Sequence, residues 1–424
     1  MLATTGLFLS RRLLGDPTIT LGFERGEQVP ADVVAYFGDS PGRLYQLRQW
    51  LPVLERLNER RRVLIVLRHA ATYHALDGET PLRRVLVPEF GQLTALYAEN
   101  DYRVALYVNN GVRNFQSLSH QTMLHVHVSH GESDKISMVS NQAKAYDYVF
   151  VAGEAAVRRH RAALIGFDER KLVPIGRPQL DFVERPATEP RARRTILYAP
   201  TWEGESASNN YTSVDFFGER ITAAVLSLPN ARLVYKPHPR VPTSTAQEMR
   251  VAHKGICRLI DEAARRDPSA GHQIVLEGDI LDLITAADAM ITDVSSVGLD
   301  FLYLVTEKPL FVTDRRNDRD RLMTDASVSG AADIVDAETI GTLAETLAGR
   351  LEHDEHRQAR ERLRRFYFGD VSVGDSTRLF LDAVGRVAEE RDALLRRRAA
   401  AVSALTDAVT SAGVMAEAAV GDRA

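Results

Sequence analysis

Short apolar runs rich in β-branched residues recur along this chain, separated by stretches with helical spacing, and that alternation limits the fold more than any other feature. Val33-Val34-Ala35-Tyr36, Val63-Leu64-Ile65-Val66-Leu67, Val104-Ala105-Leu106-Tyr107-Val108, Met123 to Val128 and Tyr148-Val149-Phe150-Val151 read as strands. The runs are continuous rather than alternating with polar residues, as a strand buried on both faces requires, which is the parallel-sheet case. Between them, Arg43 to Asn58 and Glu154 to Ile165 carry helical spacing. The order β, α, β, α predicts a doubly wound α/β sheet.

A second set of strand signals restarts at Thr195-Ile196-Leu197-Tyr198 and continues through Arg232 to Tyr235, Gln273 to Leu276, Ala289 to Thr292 and Pro309 to Val312. A chain of 424 residues is too long for one ordinary core. The expected division is a first Rossmann-like domain over 1–184, a polar, proline-bearing linker over 185–193, a second Rossmann-like domain over 194–378, and a C-terminal helix and tail over 379–424.

The net charge of −4 gives no general attraction to nucleic acid, and no nucleic-acid-binding signature is present. One cysteine, Cys257, excludes an internal disulfide, and it sits in a helical stretch without a neighbouring base in the sequence. Met1 to Leu9 lacks the basic leader and cleavage site of an export signal, so a cytoplasmic location is expected. No apolar run reaches the ~18–20 residues that span a bilayer, which leaves only peripheral membrane contact.

Three short segments carry chemistry. Asp293 to Ser296 lies between an apolar strand and a largely apolar helix from Gly298. At such a turn the first helical N–H groups lack intrahelical partners and the dipole favours an anion, so Ser295, Ser296 and the amides beside them form a phosphate seat. The competing reading is a plain N-cap by Asp293, Ser295 or Ser296. His130 follows the strand ending at Val128, where ligands bind in open α/β sheets. His238 follows the strand ending at Tyr235 in the other half, with Pro237 and Pro239 stiffening its loop and Lys236 adding charge. Imidazole titrates near working pH, which suits a general base or a proton donor; a merely hydrogen-bonded histidine at a strand end is the other reading for each. Thr201, at the turn after the first strand of the second half, is placed to contact phosphate or nucleotide.

His125, His127 and His130 form His-x-His-x-x-His, with His125 and His127 on one strand face as two metal ligands would be. No third ligand is evident, and satisfied core histidines are favoured over a metal. No Gly-x-x-x-x-Gly-Lys-Ser/Thr and no Gly-x-Gly-x-x-Gly occurs, which argues against a P-loop NTPase and a simple dinucleotide dehydrogenase. Arg391, Arg396, Arg397 and Arg398 lie among Leu394, Leu395, Val402 and Leu405 on a long C-terminal helix. That helix reads either as resting on an anionic membrane or, with Glu389 and Glu390 mixed in, as crossing back onto the first domain with a solvated basic face.

Taken in order, His130-Gly131, Gly176-Arg177-Pro178-Gln179-Leu180-Asp181, Tyr198-Ala199-Pro200-Thr201-Trp202, Lys236-Pro237-His238-Pro239, Thr292-Asp293-Val294-Ser295-Ser296 with Asp300-Phe301, and Gly374-Asp375-Ser376-Thr377-Arg378 resemble the CDP-glycerol glycerophosphotransferase family, the teichoic-acid primases and polymerases. The resemblance covers roughly residues 100–385. It implies a GT-B-like fold of two doubly wound Rossmann-type domains facing a cleft, with C-terminal helices. It also implies transfer of glycerol phosphate, or a related polyol phosphate, from a CDP-linked donor to a cell-envelope or capsule acceptor, with CMP released and no permanently bound cofactor. His130 would be the base; His238 would serve the diphosphate or the leaving CMP; Asp300 and Arg378 would border the donor. The acceptor would be lipid-linked or polymeric. A nucleotide-sugar glycosyltransferase of the same fold and a catalytically silent nucleotide-binding scaffold are the alternatives. After His130 the sequence departs from the family pattern, and Glu132 and Asp134 place two carboxylates where they would repel an anionic acceptor.

Overall fold

The computed structural model describes residues 19–20, 23, 26–134, 138–184 and 193–421, with side chains to 406. Residues 1–9, read for an export signal, and nearly all of the 185–193 linker lie outside the described residues. The first sheet holds β1 (Ile19–Thr20), β2 (Val33–Phe37), β3 (Val63–Leu67), β4 (Arg83–Leu86), β5 (Val104–Tyr107), β6 (Leu124–His127), β7 (Tyr148–Val151) and β8 (Leu172–Pro174), in the order β1-β4-β3-β2-β5-β6-β7-β8. The second holds β9 (Arg194–Ala199), β10 (Ala231–Tyr235), β11 (Gln273–Ile274), β12 (Ala289–Thr292), β13 (Leu310–Thr313) and β14 (Asp333–Val335), in the order β11-β10-β9-β12-β13-β14. Every pairing is parallel.

The burial pattern follows from the pleat. On β2, Val33, Ala35 and Phe37 enter one core while Val34 and Tyr36 enter the core on the opposite face. On β9, Leu197 and Ala199 face one core, Ile196 and Tyr198 the other. Apolar residues on both sides of the pleat are why these strands read as unbroken runs. The strand order reverses direction between β2 and β5 in the first sheet and between β9 and β12 in the second, and ligands bind off the carboxyl ends at such points.

Four edge or near-edge strands escape the sequence reading, the two-residue β1 among them. β4 begins Arg83-Arg84, yet Arg84 is buried: it donates to the Leu76 carbonyl at 2.8 Å, pairs with Asp77 and lies over the Tyr73 ring. β8 ends in Pro174, tolerable on an edge, and β14 is three residues starting with Asp333.

The C-terminal helix, expected from about Leu379, starts a turn earlier and runs Asp375–Gly421. It packs onto the first sheet: Phe380, Leu381, Val384 and Val387 enter its core, Phe380 lying 5.2 Å from Trp50. Arg391 is not part of a basic face; it is buried, donating to the Thr122 carbonyl and pairing with Asp101 and Asp392. Arg396, Arg397 and Arg398 remain exposed. Among the described residues no helix is long and apolar enough to cross a membrane.

Two motifs that are far apart in sequence lock this helix in place. Asp181 accepts from the Gly374 and Thr377 amides at 2.7 and 2.6 Å, capping the helix start, and Ser376 Oγ accepts from the Arg177 amide at 3.0 Å. Gly176 permits the approach, with φ +71° and a Cβ position only 2.2 Å from Ser376 Oγ. Gly176→Ala should therefore lower stability by about 1–3 kcal/mol from overpacking, with the left-handed backbone adding to the loss. Gly78→Ala has a similar φ but open space and should cost only the backbone term, so the two melting temperatures separate contact from conformation.

Candidate functional site

His130 sits in a sharp turn after β6. Ser129, just before it, takes a left-handed backbone (φ 56°) that non-glycine residues seldom adopt, and the Trp50 indole N–H pins the Ser129 carbonyl at 2.6 Å. The imidazole that this turn presents has a settled tautomer. Its Nδ1 faces the Val108 carbonyl at 3.3 Å and must carry the proton, which leaves Nε2 to accept from the Gln46 amide at 3.4 Å. Gln46 is oriented in turn: its Oε1 accepts from Asn109 Nδ2 at 2.8 Å, and that nitrogen also donates to Asp39 at 2.8 Å. The chain Asp39–Asn109–Gln46–His130 thus runs along the switch point of the first sheet. The sequence reading missed Asp39 and Asn109, whose only signal was their place just after β2 and β5, and Gln46, which lies on the short Tyr45–Arg48 helix and gave no signal.

Burial, followed by the positive charges of Arg177 and Arg43, outweighs the Val108 hydrogen bond and lowers the His130 pKa to about 4. The ring is neutral at neutral pH, as a base must be. His238 has the opposite tautomer. Its Nδ1 accepts from the Arg240 amide at 3.2 Å, so Nε2 bears the proton, and the ring stacks on Trp202, itself under the Arg240 guanidinium at 4.2 Å. The His238 backbone N–H bonds the Pro200 carbonyl, which ties its loop to the end of β9.

At the Thr292–Ser296 turn the roles divide. Asp293 is buried and does not face the seat: its oxygens accept from the Thr201 amide (2.7 Å), the Ser213 amide (3.2 Å) and the Thr313 hydroxyl (2.6 Å). Burial raises its pKa to about 6. Thr201 is buried and held by that carboxylate, so Asp293 and Thr201 brace the turn. Ser295 is the N-cap residue of the Ser296–Leu304 helix but makes no side-chain cap bond, so the plain-cap reading does not describe its hydroxyl. Ser295 and Ser296 are part-exposed at the helix start. Lys236 is buried with Nζ on the Leu276 carbonyl at 3.1 Å, and burial lowers its pKa.

The two halves touch here. A Cβ on Gly131 would lie 3.9 Å from both Ser296 Cβ and Arg177 Nη1. Asp300 is not an exposed helical carboxylate; it is buried and paired with Arg177 Nη2 at 2.8 Å. Arg378 stands apart from this group, exposed and paired along its own helix with Asp375 and Asp382. His238 is reached through neighbouring strand ends: β10 lies beside β9, and β9 beside β12, so about 10 Å separates its strand from that of Ser295.

Two expectations change, at Glu132 with Asp134 and at Cys257, while His125 and His127 follow the core reading. Glu132 and Asp134 do not project charge at an acceptor; both are turned inward and paired with Arg159, and Asp134 also accepts from Tyr367 at 2.5 Å. His125 is engaged at both nitrogens, by Tyr107 and by the His120 carbonyl, and His127 stacks on Tyr146. Cys257 does have a neighbouring base, His253 at 3.8 Å, but burial raises the thiol pKa and lowers that of the imidazole, which opposes a thiolate.

Burial lowers the pKa of seven histidines, His120, His125, His127, His130, His160, His253 and His272, with His127 at about 3. Below about pH 6.5 the unfolded chain protonates these rings while the folded chain does not, so stability is lost as pH falls through that range. Asp134 and Asp293, raised by burial to about 6, act oppositely over about pH 4–6, and burial raises Asp300 in the same direction, but these carboxylates are fewer. Denaturant titrations should show stability rising from pH 4 to 6.5.

The family model for CDP-glycerol:poly(glycerophosphate) glycerophosphotransferase matches residues 94–379. Comparison with curated protein sequences gives no match. Among solved structures, the wall teichoic acid polymerase TagF is similar at 15% identity, with 85% of this chain and 90% of that chain covered and a TM-score of 0.52. UDP-GlcNAc 2-epimerase from Neisseria meningitidis, bound to UDP-GlcNAc, is similar at 12% identity, covering 84% and 100%, with a TM-score of 0.55. A glycosyltransferase from Rickettsia africae gives 12%, 84% and 98%, and 0.53. These structural likenesses carry the GT-B-like fold alone, since an epimerase and a polymerase share it equally.

Proposed function

Since this protein belongs to the CDP-glycerol:poly(glycerophosphate) glycerophosphotransferase family, we propose that it moves glycerol phosphate from CDP-glycerol to a polyol-phosphate acceptor of the teichoic-acid kind, releasing CMP. The observation that carries the reading is the pair of opposite tautomers: His130 has its lone pair at Nε2, held by the long Gln46 contact until an acceptor hydroxyl takes that place, and His238 has its proton at Nε2. In the reaction the acceptor hydroxyl oxygen bonds to the phosphorus that carries glycerol. The bond from that phosphorus to the bridging oxygen breaks, with its electron pair leaving on CMP. The hydroxyl proton goes to His130, and His238 donates a hydrogen bond to CMP. The amides at Ser295 and Ser296 receive the diphosphate charge, Asp293 and Thr201 keep that turn in place, and Lys236 adds positive potential nearby. Positioning and electrostatics supply most of such a transfer.

The acceptor is taken to be polymeric or lipid-linked. The exposed Arg396, Arg397 and Arg398, beyond the part of the helix that packs on the first sheet, support peripheral contact with an anionic bilayer from the cytoplasmic side. CMP release from CDP-glycerol by the purified protein, with a polyol-phosphate acceptor, tests the proposal. UDP-sugar turnover in place of CMP release would overturn it.

A further inference from the structure

Arg177 follows β8 of the first sheet, yet its side chain reaches the second half. It is 5% exposed, its Nη2 pairs with Asp300 on the Ser296–Leu304 helix, and its Nε and Nη1 are buried without a hydrogen-bond partner. Leaving buried guanidinium donors unpaired is costly and calls for an explanation; Arg177 differs from the other buried arginines with an unpartnered nitrogen in leaving two donors, Nε and Nη1, open together. Nη1 points at the Gly131 side of the His130 turn, and Ser296 approaches that glycine equally closely. A free pair of donors therefore stands between the base and a helix N-terminus, each of which favours an anion or its attacker.

We propose that Arg177 is a catalytic residue that binds the phosphoryl group in transit, and that Asp300 is its positioning residue. This rests on the transferase reading above. As the bridging bond breaks and the new one forms, charge spreads over the non-bridging oxygens of the transferred phosphorus, and Nε and Nη1 donate to them. Asp300 holds the third nitrogen, which fixes the fork and balances its charge until substrate enters. A lysine would deliver one point charge and cannot serve both Asp300 and the phosphoryl group in the same geometry. Because the pair joins the two halves, the fork is assembled only when they are in contact.

The experiment compares wild type with Arg177→Ala, Arg177→Lys and the double variant Arg177→Ala/Asp300→Ala, which removes both buried charges and keeps the fold testable if the single variant is unstable. CMP release should fall about 10²–10³-fold in kcat for Arg177→Ala, as for loss of one preorganised donor, with a smaller change in KM for CDP-glycerol. Added guanidinium ion should restore part of the rate in both alanine variants, and Arg177→Lys should remain slow. A folded alanine variant with wild-type kcat, or a slow one that guanidinium does not improve, would overturn the inference while leaving the transferase reading intact. If wild type releases no CMP, the reading itself fails. Thermal stabilisation by inorganic pyrophosphate then decides the residue's role: loss in the double variant supports an anion site, and retention overturns it.

Discussion

His130→Ala should lower kcat for CMP release by about 10²–10⁴-fold, the usual contribution of a positioned general base, while CDP-glycerol still stabilises the protein against heat. The ring's pKa near 4 shapes the pH dependence. In the free enzyme the base stays neutral well below the usual histidine range, so the acidic limb of kcat/KM should lie below about pH 6. Bound diphosphate brings negative charge beside the ring and favours imidazolium, so the acidic limb of kcat should lie at higher pH than that of kcat/KM. Gln46→Leu leaves the Val108 carbonyl to set the tautomer and should cost less than removal of the ring. Equal losses in the two variants would mean that the network rather than the imidazole is what matters.

Asp293→Ala should be the most destabilising substitution at the site. It strands the Thr201 and Ser213 amides, both buried, at roughly 1–3 kcal/mol each, and releases the Thr313 hydroxyl. Removing a carboxylate whose pKa is already raised to about 6 returns part of that loss, so a net drop of a few kcal/mol is expected in thermal or urea unfolding. Ser295→Ala, two residues on, should change stability by less than about 0.5 kcal/mol because its hydroxyl makes no cap bond, yet weaken CDP-glycerol binding. The reverse pattern, a stable Asp293→Ala and an unstable Ser295→Ala, would refute the division of labour at this turn.

The central strands were legible because burial on both faces leaves unbroken apolar runs; β3 and β12 are read to the residue. β4 was not, since Arg84 is buried through hydrogen bonds and a ring face that no local pattern records. At the site, His130 and His238 were visible as histidines at strand ends, but the tautomers depend on partners 84, 22 and 2 residues away. Asp300 and Arg177 each looked ordinary alone. Their pairing across 123 positions is a property of the fold. Arg378 illustrates the converse: within Gly374-Asp375-Ser376-Thr377-Arg378 it is the cation, yet Gly374, Ser376 and Thr377 make the contacts with the Arg177–Asp181 segment.

The helix clasp at Asp181 has a consequence for how the molecule comes apart. The chain leaves the first sheet after Glu184 and returns to it through Asp375–Gly421, so the first half is built from two distant pieces of sequence. A protease nick between Glu184 and Arg193 should therefore not release two particles: the amino-terminal fragment stays bound to the carboxyl-terminal one through Phe380, Leu381, Val384 and Val387. The same two fragments, expressed separately, are natural partners for reconstitution, whereas the first 184 residues alone would leave Trp50 and Phe150 without the Phe380 ring that covers them.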